Sequence, residues 1–433
     1  MKRAFFYLWM VLAFVPSVWG EEATPAPSPQ VSPTPDPEVD IRAPGSYKAK
    51  KYYLFPLEIP AYVLRGATYP LHELTKIAER HKVIERAADY FLRNDFIIFP
   101  IFQVGGGDGL GGGLGLRARD VFHSGYNIGA DFTVFTDFDM RAGLKLSSPD
   151  YYVANRPFRY NFSARFREKN DQNFFGIGDD TSRADESDYG FNRVRTGMEF
   201  EYQVLPSLTL SMPAQFLTAR ARADDDGDKP SVEQVFPPSE LVAFRDRTNY
   251  LVFGLQVAHD TRDSEDVPSR GGYRSISFSR FQGLGGTNEF SFNEIELDIR
   301  QYFRLWTPRH VLVVRNDWVF QFDPGSGGIP FNLVNTLDYQ SPLRGFRSGR
   351  WKDSASVLFN FEYRFPIWDY IDGGVFVDTG KVFNGLTDFS FDHWRYSVGG
   401  GIRIIARDHV LLRFGVGYGG EGALIFFRFG EVL

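Results

Sequence analysis

From Phe96 to the end of the chain, hydrophobic and polar residues alternate with a period of two. In 311–322, Leu312, Val314, Trp318, Phe320 and Phe322 fall on one parity and Arg315, Asp317 and Gln321 on the other. The same split sets Val357, Phe359, Phe361, Tyr363 and Phe365 against Asn360, Glu362 and Arg364, and Val410, Leu412, Phe414 and Val416 against Arg413, Gly415 and Gly417. Successive side chains of a strand point to opposite faces, so each stretch reads as a strand with one apolar and one polar face. Sixteen strands are predicted, from Ile98–Gly105 to Gly422–Leu433, with Phe158–Glu168 and Tyr189–Tyr202 among them.

Alternation by itself fits two architectures. In a soluble sandwich the apolar face is the core; in a membrane barrel it meets lipid and the polar face lines the lumen. Connection lengths separate the two. Lys169–Asp188, Ala221–Arg247, Asp323–Asp353 and Val382–His393 are long and fall on one side, whereas Leu205–Pro206 and Arg407–Asp408 on the other are short. One-sided long loops and an even strand number predict an all-β fold, a 16-stranded antiparallel transmembrane β-barrel of the outer-membrane type, over 96–433.

Ahead of the barrel the pattern changes three times. Lys2 and Arg3 precede the apolar run Ala4–Val15, which is too short for a membrane span of about 20 residues and predicts a cleavable secretory signal over 1–20. Residues 21–45 carry Pro25, Pro27, Pro29, Pro33, Pro35, Pro37 and Pro44, the composition of an extended, disordered linker. In 46–95, expected on the periplasmic side, Leu71, Leu74, Ile77, Ile84, Ala88 and Phe91 recur at helical spacing. They predict an amphipathic helix over Pro70–Leu92, with Thr68 as its cap, packed on the barrel mouth.

Composition sharpens this picture. The 433 residues include no cysteine, which removes disulfides, thiolate nucleophiles and cysteine-ligated metals. Glycine and phenylalanine each occur 43 times, yet mean hydropathy is −0.26. Phenylalanines facing lipid around a polar lumen would give both values. The formal charge of −6 lacks the basic excess of a nucleic-acid partner. Gly107, Gly109 and Gly112 match a nucleotide-loop pattern but precede a strand rather than a helix, and Asp224–Asp228 lacks the spacing of a calcium loop. The seven histidines are scattered singly. Neither a cofactor nor a metal site is expected, and no catalytic set converges to make an enzyme.

Three stretches belong together: Ser341–Arg347 (Ser-Pro-Leu-Arg-Gly-Phe-Arg), Phe361–Ile367, and Gly374–Val382 with Phe376, Asp378 and Gly380 as Phe-x-Asp-x-Gly. An earlier hairpin carries Asp260, Arg262 and Asp263 followed by Pro268 and Gly271. In this order the motifs resemble the bacterial surface-antigen half of the BamA/TamA-type outer-membrane assembly and two-partner secretion superfamily. The resemblance implies that the Leu-Arg-Gly-Phe tip folds into the barrel, with Arg344, Gly345 and Phe346 as a loop lock. Alternation puts Glu362 and Asp378 on the lumenal parity, where an inward Arg344 would find both, and Gly345 is expected to turn with positive φ. By spacing alone Arg344 reads equally well as a solvated loop cation.

The barrel's ends suggest a seam. Pro100 in the first strand cannot donate a ladder hydrogen bond, and Gly430 lies near the last strand's end, so closure there is expected to be weak. Pro100 could instead lie at a strand end beyond the lipid zone. In the resembled family this junction is where substrate strands exchange. Family members carry periplasmic POTRA modules, and Tyr47–Leu92 is too short for a complete one, so this chain resembles the short members. Two functions remain open: a barrel that inserts or translocates polypeptide or lipid behind a gating loop, or a passive, porin-like or surface-binding barrel. The expected surroundings are outer-membrane lipid and, on the first reading, unfolded outer-membrane or secreted polypeptide.

Overall fold

Each alternating stretch pairs with its neighbour in the antiparallel sense, and the last strand returns to the first. The computed structural model describes residues 94–105, 109–224, 228–323, 327–337, 343–406 and 409–429, with positions 60, 61, 64–66, 68, 69, 72, 73 and 76. The wall comprises β1 (Phe96–Gly105), β2 (Leu110–Val121), β3 (Tyr126–Phe135), β4 (Met140–Ser147), β5 (Arg156–Phe174), β6 (Ser187–Leu205), β7 (Leu208–Ala223) and β8 (Arg247–Asp260). It continues through β9 (Gly271–Gly283), β10 (Phe292–Arg304), β11 (Val311–Phe322), β12 (Ala355–Trp368), β13 (Ile371–Phe383), β14 (Arg395–Ala406), β15 (His409–Tyr418) and β16 (Ala423–Phe429). Tyr151–Val153 continues the β4 edge along β5. Among the described residues, closure is by β1 on β16 in the four pairs from Phe102↔Phe429 to Gly105↔Phe426. No helix among the described residues is long and apolar enough to cross a membrane.

Parity works as an inverted core. Ile98, Leu114, Phe132, Phe253, Phe278, Phe361 and Val377 stand exposed on the outer face, whereas Gln103, Asp298, Asn360 and Asp378 point inward and are buried. Phenylalanine serves both faces: part of the set faces lipid as expected and part faces the lumen. Phe99, Phe135, Phe365, Phe376 and Phe426 each lie directly opposite a glycine: Gly115, Gly111, Gly373, Gly399 and Gly415. A Cβ on any of these glycines would come within 2.2–2.6 Å of the ring. The ring covers the bare backbone, a pairing that compensates for glycine in a strand.

Some boundaries differ from expectation. Strands β5 and β6 run on to Phe174 and back to Ser187, where a loop was expected. Lys169 is 1% exposed and pairs with Asp139 at 3.3 Å, and Gln172, Asn173 and Asp188 are buried under the loops. Pro100 lies within β1 as expected, opposite Leu114, and the alternative of a strand end does not hold. Among the described residues Pro60, Ala61 and Leu64–Gly66 are helical, ahead of the predicted helix, and most of Pro70–Leu92 lies outside the described residues. Thr68 is no N-cap: its hydroxyl donates to the Leu64 carbonyl at 2.6 Å and accepts from Trp368 Nε1 at 3.1 Å.

This helical segment covers the outer wall. Since Glu362 points into the lumen, Tyr363 and Phe365 point out, yet Phe365 and Ile371 are fully buried in a cluster with Ala61 and Leu64. His72 stacks on Trp368 at 3.6 Å, and Arg65 Nε donates to the Ile367 carbonyl at 3.2 Å.

At the tight-turn rim, the hairpin 261–270 is built as its motif implies. Arg262 grips Asp260 through Nη2 at 2.6 Å and Nε at 3.0 Å. Asp263 accepts from the Ser269 N–H at 2.8 Å, the Ser269 hydroxyl at 2.5 Å and Arg304 Nη2 at 3.0 Å. Pro268 is buried, and Gly271 sits at φ 86°, its missing Cβ facing the Thr261 carbonyl. Burial opposes the Asp263 charge, but the Ser269 and Arg270 donors and Arg304 outweigh it and hold the carboxyl below its ordinary value. Its contribution is therefore complete above the unfolded aspartate pKa of about 4 and fades as pH falls through the lower folded value. Asp263→Asn should lower the heat-modification midpoint at pH 7 by the equivalent of about 1 kcal/mol. That deficit should shrink on acidification below about pH 4, measured by gel mobility against temperature at each pH.

Candidate functional site

The connection 323–354 turns back into the barrel and places Leu343, Arg344, Gly345 and Phe346 against the inner faces of β12 to β15. Arg344 meets Asp378 with two donors, Nε to Oδ2 at 2.9 Å and Nη2 to Oδ1 at 2.7 Å. Its Nη1 donates to Glu362 Oε2 at 2.5 Å, and its backbone N–H to Asp378 Oδ2 at 3.2 Å. Below the guanidinium lies the Phe376 ring, 3.5 Å from Cζ to centroid. A planar fork on a carboxylate and an aromatic face is an arrangement that lysine could not reproduce. Asp378 is fully buried, so the solvated-cation reading of Arg344 does not hold.

The remaining valences are filled from the wall. Asn360 Nδ2 donates to Asp378 Oδ1 at 2.8 Å, the Ser397 hydroxyl to Oδ2 at 3.2 Å, and Arg364 Nε to Glu362 Oε1 at 2.7 Å. Sequence reasoning missed these three, although Asn360 and Arg364 share the lumenal parity of Glu362. Gly345 is required for a reason other than the one expected. It is not among the positive-φ glycines; a Cβ there would lie 2.5 Å from Gly419 N and 2.6 Å from Ser397 Cβ. Gly380 makes room for Leu337, to within 3.1 Å of a would-be Cβ. Phe346 is buried with Leu337, Leu343, Trp351, Leu358 and Val382.

A second anchor, unforeseen in the sequence, fixes the same connection at the loop rim. Arg350, 3% exposed, donates from Nε to both Glu421 oxygens at 2.9 Å and from Nη1 to Thr181 Oγ1 at 2.8 Å. Its Cζ lies 3.6 Å from the Trp351 ring, and Arg395 Cζ lies 3.9 Å from the same ring. Phe331 joins Phe174, Tyr189, Phe191, Val232 and Leu241 in a plug between loops. Of the expected seam, Pro100 is placed and Gly430 lies outside the described residues. Glu296, Asp298 and Asp317 bring oxygens within 4.8 Å of one another, but Arg300 and Arg315 already neutralise Asp298 and Asp317.

The family follows from this geometry together with the sequence. The model of the Omp85 superfamily domain matches residues 121–420, and the chain belongs to that superfamily. It is an outer-membrane β-barrel. BamA from Haemophilus ducreyi lacking POTRA domains 1–3 has a similar fold: 15% identity over 78% of this chain and 70% of that one, TM-score 0.59. CdiB from Acinetobacter baumannii is 13% identical over 77% of this chain and 59% of that one, TM-score 0.49. No curated protein matches the chain by sequence.

Arg344→Ala strands the buried Asp378 charge, a loss of roughly 3–5 kcal/mol, and should lower the heat-modification midpoint and open 323–354 to protease. Arg344→Ala with Asp378→Ala should recover part of that loss, because no unpaired charge remains. Gly345→Ala should expose the loop to protease in the same way while leaving every charge in place.

Proposed function

We propose that this barrel inserts or translocates polypeptide at the outer membrane, with the inward Leu343–Phe346 tip holding the lumen in its closed state. Membership of the superfamily supports the general class. The observation that carries the finer reading is the Arg344 clamp on Asp378 and Glu362. The tip of the connection is fastened by this buried cluster and its rim by Arg350 on Glu421, so the tip is released by vacating two carboxylates and the whole connection only when the rim contact is given up as well. The passive, porin-like reading calls for an open lumen, and the interloop cluster around Phe331 and the buried Phe346 weigh against it.

We place the substrate strand at the β1–β16 seam, where the last strand closes the wall on the first. The N-terminal segment belongs on this reading to the periplasm, and the protein acts without catalytic chemistry of its own. The two expectations about lipid and polypeptide partners are carried with it.

Depleting the protein should lower the abundance of particular outer-membrane barrels or secreted polypeptides in a quantitative proteome. Val104→Cys with Phe427→Cys, opposed across the seam in a chain without native cysteine, should reproduce that loss when oxidised and relieve it when reduced. A locked seam with an unchanged proteome rejects strand exchange. In planar bilayers the native barrel should show little conductance and a variant lacking 324–353 a wide, steady pore; equal, wide conductance in both returns the passive reading.

A further inference from the structure

The connection between β13 and β14, 384–394, folds back over the outside of the wall. Ala355 and Val357 of β12 and Phe383 of β13 take the outward parity, since Asn360 and Asp378 on the same strands point inward. An outward residue of a membrane barrel faces lipid, as Phe361 and Val377 do at 43% and 45% exposure. Ala355, Val357 and Phe383 are instead buried, in a cluster with Trp318, Phe359, Phe389 and Trp394. The connection supplies the cover: the Phe389 ring lies 6.0 Å from Trp318, 5.3 Å from Phe383 and 6.4 Å from Trp394, centre to centre. Lys381, opposite Val357 and 3% exposed, ties it down. Its Nζ donates to Ser390 Oγ at 2.8 Å and to the Asp392 carbonyl at 2.7 Å, and pairs with Asp179 at 2.9 Å. So fastened, the connection turns Phe391 and Leu386 away from the protein, 81% and 49% exposed.

Height decides what these two side chains meet. From Trp368 at the tight-turn rim to Val357, β12 has about the 9–11 residues with which a tilted strand crosses the hydrocarbon. The connection therefore covers the wall at the outer boundary of the apolar band, the level at which barrels carry a girdle of aromatic residues. Tyr396 of β14, opposite Thr379 and 60% exposed, belongs to the same outward surface. Exposed Asp388 and Asp392 alternate with Phe389 and Phe391. That mixture suits headgroup depth and not the centre of the bilayer, where a carboxylate is costly.

We propose that the 384–394 connection is an interfacial anchor that lays Phe391 and Leu386 into the outer leaflet, at the level of its headgroups and upper acyl chains. The occupant of this surface is lipid, because the connection is continuous with a wall that already faces lipid and its aromatic residues are those that settle at a membrane–water boundary. The inference is independent of the polypeptide reading and stands or falls without it.

The chain has no native cysteine, so Phe391→Cys and Leu386→Cys can each carry a single environment-sensitive fluorophore in the full barrel, reconstituted into phosphatidylcholine vesicles. Native heat-modifiable mobility selects folded variants. Val377→Cys supplies a lipid-facing reference and Asp185→Cys, exposed in another loop, an aqueous one. Phosphatidylcholine carrying a nitroxide high on its acyl chain should quench the labels at 391 and 386 severalfold more than the label at 185, and iodide should quench them severalfold less. Iodide quenching equal to that at 185, without response to the nitroxide lipid, overturns the proposal. Shielding from both quenchers also overturns it and names a protein occupant, a second copy if the unlabelled cysteines crosslink barrel to barrel.

Discussion

A peptide group in hydrocarbon has no water to turn to, so every N–H and C=O of the wall has to find its partner in a neighbouring strand. That constraint closes the sheet and dictates which residues can sit on which face. Lipid takes the apolar parity, and everything charged is driven into a narrow lumen. Charges so confined cannot remain alone, because removal from water is costly and only a well-placed counter-charge offsets it. Asp298, Asp317 and Glu362 meet this demand through arginines on the wall, and Asp378 through one delivered by a loop. The long connection is thereby drawn inward by the wall's own unmet charge.

The connection is held at two heights by the same chemistry. Deep in the lumen Arg344 lies between Asp378, Glu362 and the Phe376 ring; at the rim Arg350 lies between Glu421, Thr181 and Trp351. Both combine a forked hydrogen bond with an aromatic face, which fixes orientation as well as charge. The glycines around the tip complete the fit. Gly417 and Gly419 would each bring a Cβ within 2.7 Å of the tip's backbone or of Phe346, so the wall is thinnest where the loop presses on it.

Much of this was legible before any coordinates. Alternation revealed the strands because lipid favours apolar residues on the outer parity, and the lumenal parity of Glu362 and Asp378 pointed to the partners of Arg344. Legibility failed wherever the environment changes. Beyond the membrane β5 and β6 continue through a stretch rich in Lys, Asn, Asp and Gln, which has the composition of a loop but is buried by other loops. Tyr250, Phe281 and Phe292 point inward on the polar parity because the plug replaces water there. Gly345 was assigned its role by φ when the deciding fact was close approach to Ser397 and Gly419, which lie far along the chain, and no local pattern carries that. Arg350 and Glu421 are far apart in the chain and carry no motif.

The segment around Ala61 and Leu64 has a consequence for the bilayer. By covering the outward residues Phe365 and Ile371, it removes the lowest part of β12 and β13 from contact with acyl chains. On this flank acyl chains would meet the segment where elsewhere they meet bare strand. The lipid-facing outline is therefore not the same all round, which gives the barrel one distinguishable side in the plane of the membrane.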